Sequence, residues 1–280
     1  MTAANRRRLA LFAGAAGIVA GVAGTWRAYR RDIAAAYERV NPAKASTVET
    51  VAGTVQYSVE TPVGTDGVPV LVAHGIVGGF DQALRIGTSL LDTDTRVVGV
   101  SRFGYLGSDL PADPSPSAQA AAYGAVLNET GIEDVVVIGT SAGGAPAIRF
   151  ALDYPERTRC LVLLGSTAPS EQPISGPTGP PAALCRDPVF WALVRLVPRA
   201  LRRLFGVSER TYRAASPAER RRVDALLETL LPVAPRRPGI RNDAAVTNTA
   251  MVEQYDEYPL EALRVPTLVV HAEDDPLASF

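Results

Sequence analysis

From Val48 onward, short apolar runs take turns with longer amphipathic stretches, and this rhythm predicts the elements. Val48–Val51 and Val55–Val59, separated by Ala52-Gly53-Thr54, read as an antiparallel hairpin. Val68–Ala73, Arg96–Val100, Val135–Ile138, Cys160–Leu164 and Thr267–Val270 are β-branched or Leu-rich and show no polar alternation. Strands covered on both faces read this way, because neither face meets water. Helical spacing separates the first four of them, at about Phe80–Leu91, Ser117–Glu129 and Ala145–Tyr154. Strand and helix in alternation predict an α/β fold with a mostly parallel, doubly wound sheet.

The rhythm stops at Gly165 and resumes near Val265. Pro173 to Pro181 reads as a loop, and Asp187 to Phe205 carries a broad apolar face interrupted by Pro198. Ser216-Pro217-Ala218-Glu219 is a capping box with Pro at the first helical position, opening a helix that runs to Leu230. A third helix is expected from Asp243 to Tyr255. An all-helical insertion between two parallel strands predicts a lid, about residues 166–262, over the strand ends where such sheets bind ligands. The alternative is an insertion with no binding role.

The amino end has a different pattern. Arg6-Arg7-Arg8 precedes Leu9–Trp26, eighteen residues without a charge, and Arg27, Arg30 and Arg31 follow. As a helix this run is ~27 Å long, close to one hydrocarbon core. Trp26 beside arginines fits an interfacial anchor. Residues 1–31 are therefore read as a single membrane anchor, with cleaved secretory signal and buried Ala/Gly helix as the alternatives. Arginine flanks both ends, so orientation is not set. Residues 32–47 are read as a helix stopped by Asn41-Pro42 plus a linker, and residues 48–280 as the catalytic unit.

Composition narrows the function classes. The 280 residues are 47% hydrophobic and 20% charged with a net charge of −1, which excludes a disordered chain. Two cysteines exclude a disulfide scaffold. Cys160, Cys185, His74 and His271 are the only soft donors, so no Cys/His metal site is expected. Residues 1–31 hold six arginines and no acid, leaving 22 basic and 29 acidic residues in the rest. An acidic body argues against a nucleic-acid partner, which needs a basic face to displace counterions.

The chemistry concentrates at Val135-Val136-Val137-Ile138-Gly139-Thr140-Ser141-Ala142-Gly143-Gly144. A Gly-x-Ser-x-Gly run between a buried strand and an apolar helix holds the serine in a sharp, strained turn with its oxygen above the sheet. Side chains at Gly139 and Gly143 would clash in such a turn. With these residues the chain resembles the α/β-hydrolase superfamily from about Val48 to its end. The resemblance implies Ser141 as nucleophile. It also implies an oxyanion loop at Ala73-His74-Gly75-Ile76-Val77-Gly78-Gly79, where the N–H of Ile76, or less readily Val77, joins that of Ala142. His74 is then a residue that orders the loop.

Ser101-Arg102-Phe103-Gly104-Tyr105-Leu106-Gly107-Ser108 resembles the family's segment after the fourth strand, with Ser101 where Asp is usual and Leu106 where a second Gly is usual. Val265 to Pro276 resembles the seventh strand and acid loop, which implies Asp275 as the acid and Asp274 as runner-up. No cofactor is implied. The family order then calls for a His after the acid, yet Pro276-Leu277-Ala278-Ser279-Phe280 contains none. His271 lies inside the seventh strand and reads as structural. The expectation is a shortened enzyme lacking roughly 25–30 residues of strand, His loop and helix. A binding protein with an inert pocket and an enzyme with an unusual base are the alternatives. Without an eighth strand, Thr267–Val270 becomes the sheet edge. The expected reaction is acyl transfer from a small apolar ester to water.

Overall fold

The computed structural model describes residues 3–62, 67–91, 94–172, 178–273 and 275, with side chains from Ala20 onward. The chain opens with helix α1, Ala3–Arg39. A hairpin follows, β1 (Ser46–Thr50) and β2 (Gly53–Glu60), in register from Ser46↔Tyr57 to Thr50↔Gly53. Then come β3 (Val68–Ala73), α2 (Phe80–Leu90), β4 (Thr95–Val100), α3 (Pro116–Glu129), β5 (Val135–Thr140), α4 (Gly144–Asp153) and β6 (Thr158–Leu164). The sheet closes with β7 (Thr267–Val270) and has the order β1-β2-β4-β3-β5-β6-β7. The first three strands in this order pair antiparallel and all others parallel.

The doubly covered strands explain their unbroken apolar sequence. Leu71 and Ala73 pack on one face with Val126, Leu127, Ile148 and Phe150 of α3 and α4. Val70 and Val72 pack on the other with Phe80, Ala83 and Leu84 of α2. Alternate residues leave by opposite faces, and both faces are dry. β7 differs. It pairs with β6 from Leu161↔Thr267 to Leu164↔Val270, but Leu268, Val269 and Val270 are exposed. This run is an uncovered edge among the described residues.

The insertion is helical, as its pattern predicts. α5 (Asp187–Leu196) and α6 (Pro198–Leu204) are split at Pro198, which has no N–H to continue the first helix. α7 (Glu209–Ala214) lies in a stretch where no helix is expected. α8 (Pro217–Glu228) begins with the complete Ser216/Glu219 capping box. The third lid helix starts earlier than expected, as α9 (Arg237–Asn242), passes through a π turn at Asp243–Thr247 and ends as α10 (Asn248–Glu253).

At the amino end, α1 runs unbroken through residue 31 as one helix of 37 residues. Its second half docks on the lid: Ala36 is buried with Trp191, Val194 and Leu227, and Tyr29 and Ile33 pack against the same cluster. Among the described residues no helix is long and apolar enough to cross a membrane. Most of Leu9–Trp26 precedes Ala20, so the expected anchor lies largely outside the described side chains.

Candidate active site

Ser141 follows the last residue of β5 and has φ +48°, a left-handed backbone that non-glycine residues rarely adopt. The turn is sharp because β5 must reverse directly into α4. A Cβ on Gly143 would overlap the Ala73 carbonyl, and one on Gly139 would sit 2.8 Å from the Gly144 Cα. Small residues therefore let the β3 and β5 ends close together. Gly75 sits against the serine, where a Cβ would stand 3.1 Å from Ser141 Cβ and 3.7 Å from its Oγ. Ser141 is half-buried, and its carbonyl accepts a hydrogen bond from Ser166 Oγ at 3.2 Å.

The loop after β3 carries the two donors expected from the sequence. The Gly78 N–H donates to the Gly75 carbonyl at 3.1 Å. The Val77 N–H approaches the Tyr105 hydroxyl, a weak counter to the burial that raises that group's pKa. The Ile76 N–H has no acceptor among the described groups. Ala142 is buried in the first turn after the serine. Val77 itself has φ +64°, an outlier for a β-branched residue.

His74 is fully buried and fully committed. The Arg102 backbone N–H donates to its Nε2 at 3.0 Å, and its Nδ1 lies 2.7 Å from the Gly75 carbonyl. A backbone N–H can only donate and a carbonyl only accept, so the proton is on Nδ1. Burial, then the Arg102 charge, hold its pKa well below 6.5. This imidazole orders the loop and has no nitrogen left for proton transfer.

Two charged ties lock the lid onto this loop. Arg102 Nη1 and Nη2 donate to Asp243 Oδ1 and Oδ2 at 2.7 and 2.6 Å, and Tyr105 Oη donates to the same carboxylate. Arg236, wholly buried, donates to both Asp81 oxygens at 3.0–3.1 Å, and Arg39 of α1 adds a further bond at 3.0 Å. Burial pushes the Asp81 carboxyl up, but Arg236 and then Arg39 outweigh it and hold its pKa below the usual value. None of Arg102, Tyr105, Asp243, Asp81 or Arg236 is expected from the sequence to form such pairs. Their partners lie up to 155 residues away, and no local spacing reports them.

Ser101 replaces the usual Asp after β4 by a hydroxyl that accepts from the Phe80 N–H at 3.1 Å and donates to Gln56 at 3.2 Å. Leu106 has φ +54°, which is why Gly is usual there. Asp275 lies past β7 with its Oδ2 3.9 Å from where a Gly165 Cβ would be, and 3.7 Å from His271 Nε2. Gly165 and Ser166 thus stand between the acid and the serine at the carboxyl ends of β5, β6 and β7. Asp274 lies outside the described residues. Among those described, no cluster of His, Cys, Asp or Glu could hold a metal ion. A cavity of about 320 Å³ lies within the lid, between Pro180, Cys185, Arg237, Ile240, Arg241 and Ala244. Gly179 packs nearby, where a Cβ would lie 3.0 Å from Ala244 Cβ and 3.1 Å from Ile76 Cδ1.

The family model for the alpha/beta hydrolase fold matches residues 68–279. The chain belongs to the α/β hydrolase fold family. An α/β hydrolase fold protein from Nakamurella multipartita is 26% identical with a TM-score of 0.66, over 84% of this chain and 83% of that one. An uncharacterized hydrolase of Bacillus subtilis is 38% identical over 120 residues, 41% of this chain and 40% of the relative. A 2-hydroxy-6-oxo-6-phenylhexa-2,4-dienoate hydrolase of Comamonas testosteroni is 30% identical over 105 residues, 36% and 37% of the two chains. The matched stretch thus spans about two fifths of the length of these curated relatives.

Proposed function

We propose that the protein is a serine hydrolase that transfers an acyl group to water, with a small carboxylic ester as substrate. The observation that carries this reading is the pairing of a strained Ser141 with the uncommitted Ile76 N–H and the Ala142 N–H. Ser141 Oγ attacks the carbonyl carbon, and the two N–H groups stabilise the charge that develops on its oxygen. The alcohol leaves, and water then releases the acid from the acyl-enzyme. Asp275 orients the imidazole that moves the proton between serine, alcohol and water.

No His follows Asp275 in the 280 residues, and His74 is committed to the loop. These 280 residues alone therefore turn over short activated esters negligibly. The test is fluorophosphonate labelling of a form extended with the strand–His–helix tail of a relative. Ser141→Ala should abolish labelling, and labelling that survives would remove Ser141 from the nucleophile role.

We also propose that α1 anchors the protein in a membrane through Leu9–Trp26. The full chain should pellet with membranes and resist carbonate, and a chain lacking residues 1–20 should not. A native chain that begins near Thr25 would point to signal cleavage instead.

A further inference from the structure

The end of the lid nearest the amino-terminal run has a surface of its own. Helices α1 and α5 lie antiparallel, because their contacts climb α5 as they descend α1. Tyr37 Oη donates to Asp187 at 2.9 Å, and Trp191 Nε1 and Arg195 Nε donate to Asp32 at 3.1 and 2.9 Å. Tyr29 then meets the Trp191 ring edge-on at 5.6 Å. α5 stops at Leu196, so α1 runs on past it toward its own amino end with Trp26 and Val22 bare to solvent.

Four lid residues are bare at the same end. Leu196 is 61% exposed and Leu204 57%, with Val197 and Phe205 beside them. They bracket α6, whose inward side is Leu201 and Arg202. Large apolar side chains bunched on one short helix and its two ends are not scattered surface residues.

The charge around them is also one-sided. Arg199, Arg202 and Arg213 share the carboxylate of Glu209, at 3.6, 3.7 and 2.9 Å, and Arg202 also meets Asp224 at 3.4 Å. Arg203 on α6 and Arg27 and Arg30 on α1 form no ion pair with any described residue. Yet residues 32–280 are acidic as a whole, with 22 basic against 29 acidic side chains. Arg203 of α6 and Arg27 and Arg30 of α1 thus add positive charge to an otherwise acidic molecule near its bare apolar tip.

We propose that Leu196, Val197, Leu204 and Phe205, with Arg199 and Arg203, seat this end of the lid on a bilayer bearing anionic headgroups. It is the same bilayer that α1 enters, so the inference rests on the anchoring proposal. The apolar tip enters the acyl boundary and the guanidinium groups meet the lipid phosphates. The buried lid cluster runs from this tip through Trp191 and Val194 to Val77 of the oxyanion loop. The seating therefore brings the site against the phase in which apolar esters dissolve.

The test uses the full chain with Cys160 and Cys185 replaced by Ala. Leu196→Cys and Phe205→Cys each carry an environment-sensitive fluorophore, and Val51→Cys, on the fully exposed β1–β2 turn, is the control. With vesicles of phosphatidylcholine and phosphatidylglycerol, the two lid probes should shift to the blue and escape iodide quenching, while the control does not change. Arg199→Glu with Arg203→Glu should return both probes to water while α1 still holds the protein on the vesicles. Protein that pellets with vesicles while both lid probes stay as quenched as the control overturns the seating and leaves the anchor standing. Protein that fails to pellet overturns both. Probes shielded before vesicles are added, with a dimer mass in sedimentation, assign the patch to a second copy and overturn the bilayer.

Discussion

Val77 and Ser141 have φ of +64° and +48°, and each such residue costs on the order of 1–3 kcal/mol unless its surroundings fix it. Tyr105, which packs in the same buried cluster as Val77, donates its hydroxyl to Asp243. Tyr105→Phe should therefore lower stability by about 1–3 kcal/mol in urea unfolding, because the buried Asp243 carboxylate loses a bond. His74 makes a separate, pH-dependent contribution. Its folded pKa is depressed, so below about 6.5 the unfolded chain binds a proton that the folded chain refuses. The urea midpoint should fall as pH drops from neutrality through that value, and His74→Asn should flatten this part of the profile. Asp81, also depressed, acts in a lower window: its share of stability is complete above the ordinary carboxylate pKa and is lost in stronger acid. The Gly-x-Ser-x-Gly turn was legible because its geometry is local. The proton position on His74 was not, because it depends on Arg102, which is distant in sequence.

At the scale of elements, the cap of α8 shows what a short pattern can specify. Ser216 accepts from the Glu219 N–H, and Glu219 answers to the Ser216 N–H at 2.8 Å. Ser216→Ala should cost about 1 kcal/mol in thermal or urea unfolding. The Ser-x-x-Glu signature reveals this helix, but α7 is only six residues long and carries no comparable periodicity. The π turn at Asp243–Thr247 was equally silent, because the residue it adds to the turn serves a tertiary contact. α1 was half legible. Its stop at Asn41-Pro42 is a local signal, whereas its docking on α5 depends on Asp32 finding Trp191 and Arg195.

For the whole molecule, strand–helix alternation revealed the sheet because each strand is covered by its neighbours in sequence. The exception is β7, whose exposed Leu268, Val269 and Val270 form the sheet edge among the described residues. The 280-residue chain should therefore aggregate on concentration, and Leu268→Lys should raise the monomeric fraction in size-exclusion chromatography. Arg102–Asp243 and Asp81–Arg236 have a different consequence. The core lends one acid and one base, Asp81 and Arg102, and the lid returns the complements from a single segment, Arg236 to Asp243. The lid is thus keyed to this body like a two-pin plug of fixed polarity. A chimera that imports a foreign lid between residues 187 and 230 keeps both pins and should fold. A splice extended through residue 243 that lacks Arg and Asp at those places strands two buried charges, at about 3–5 kcal/mol each. The shorter exchange also leaves the cavity between Cys185 and Ile240 intact, because its lining falls on either side of the swapped segment.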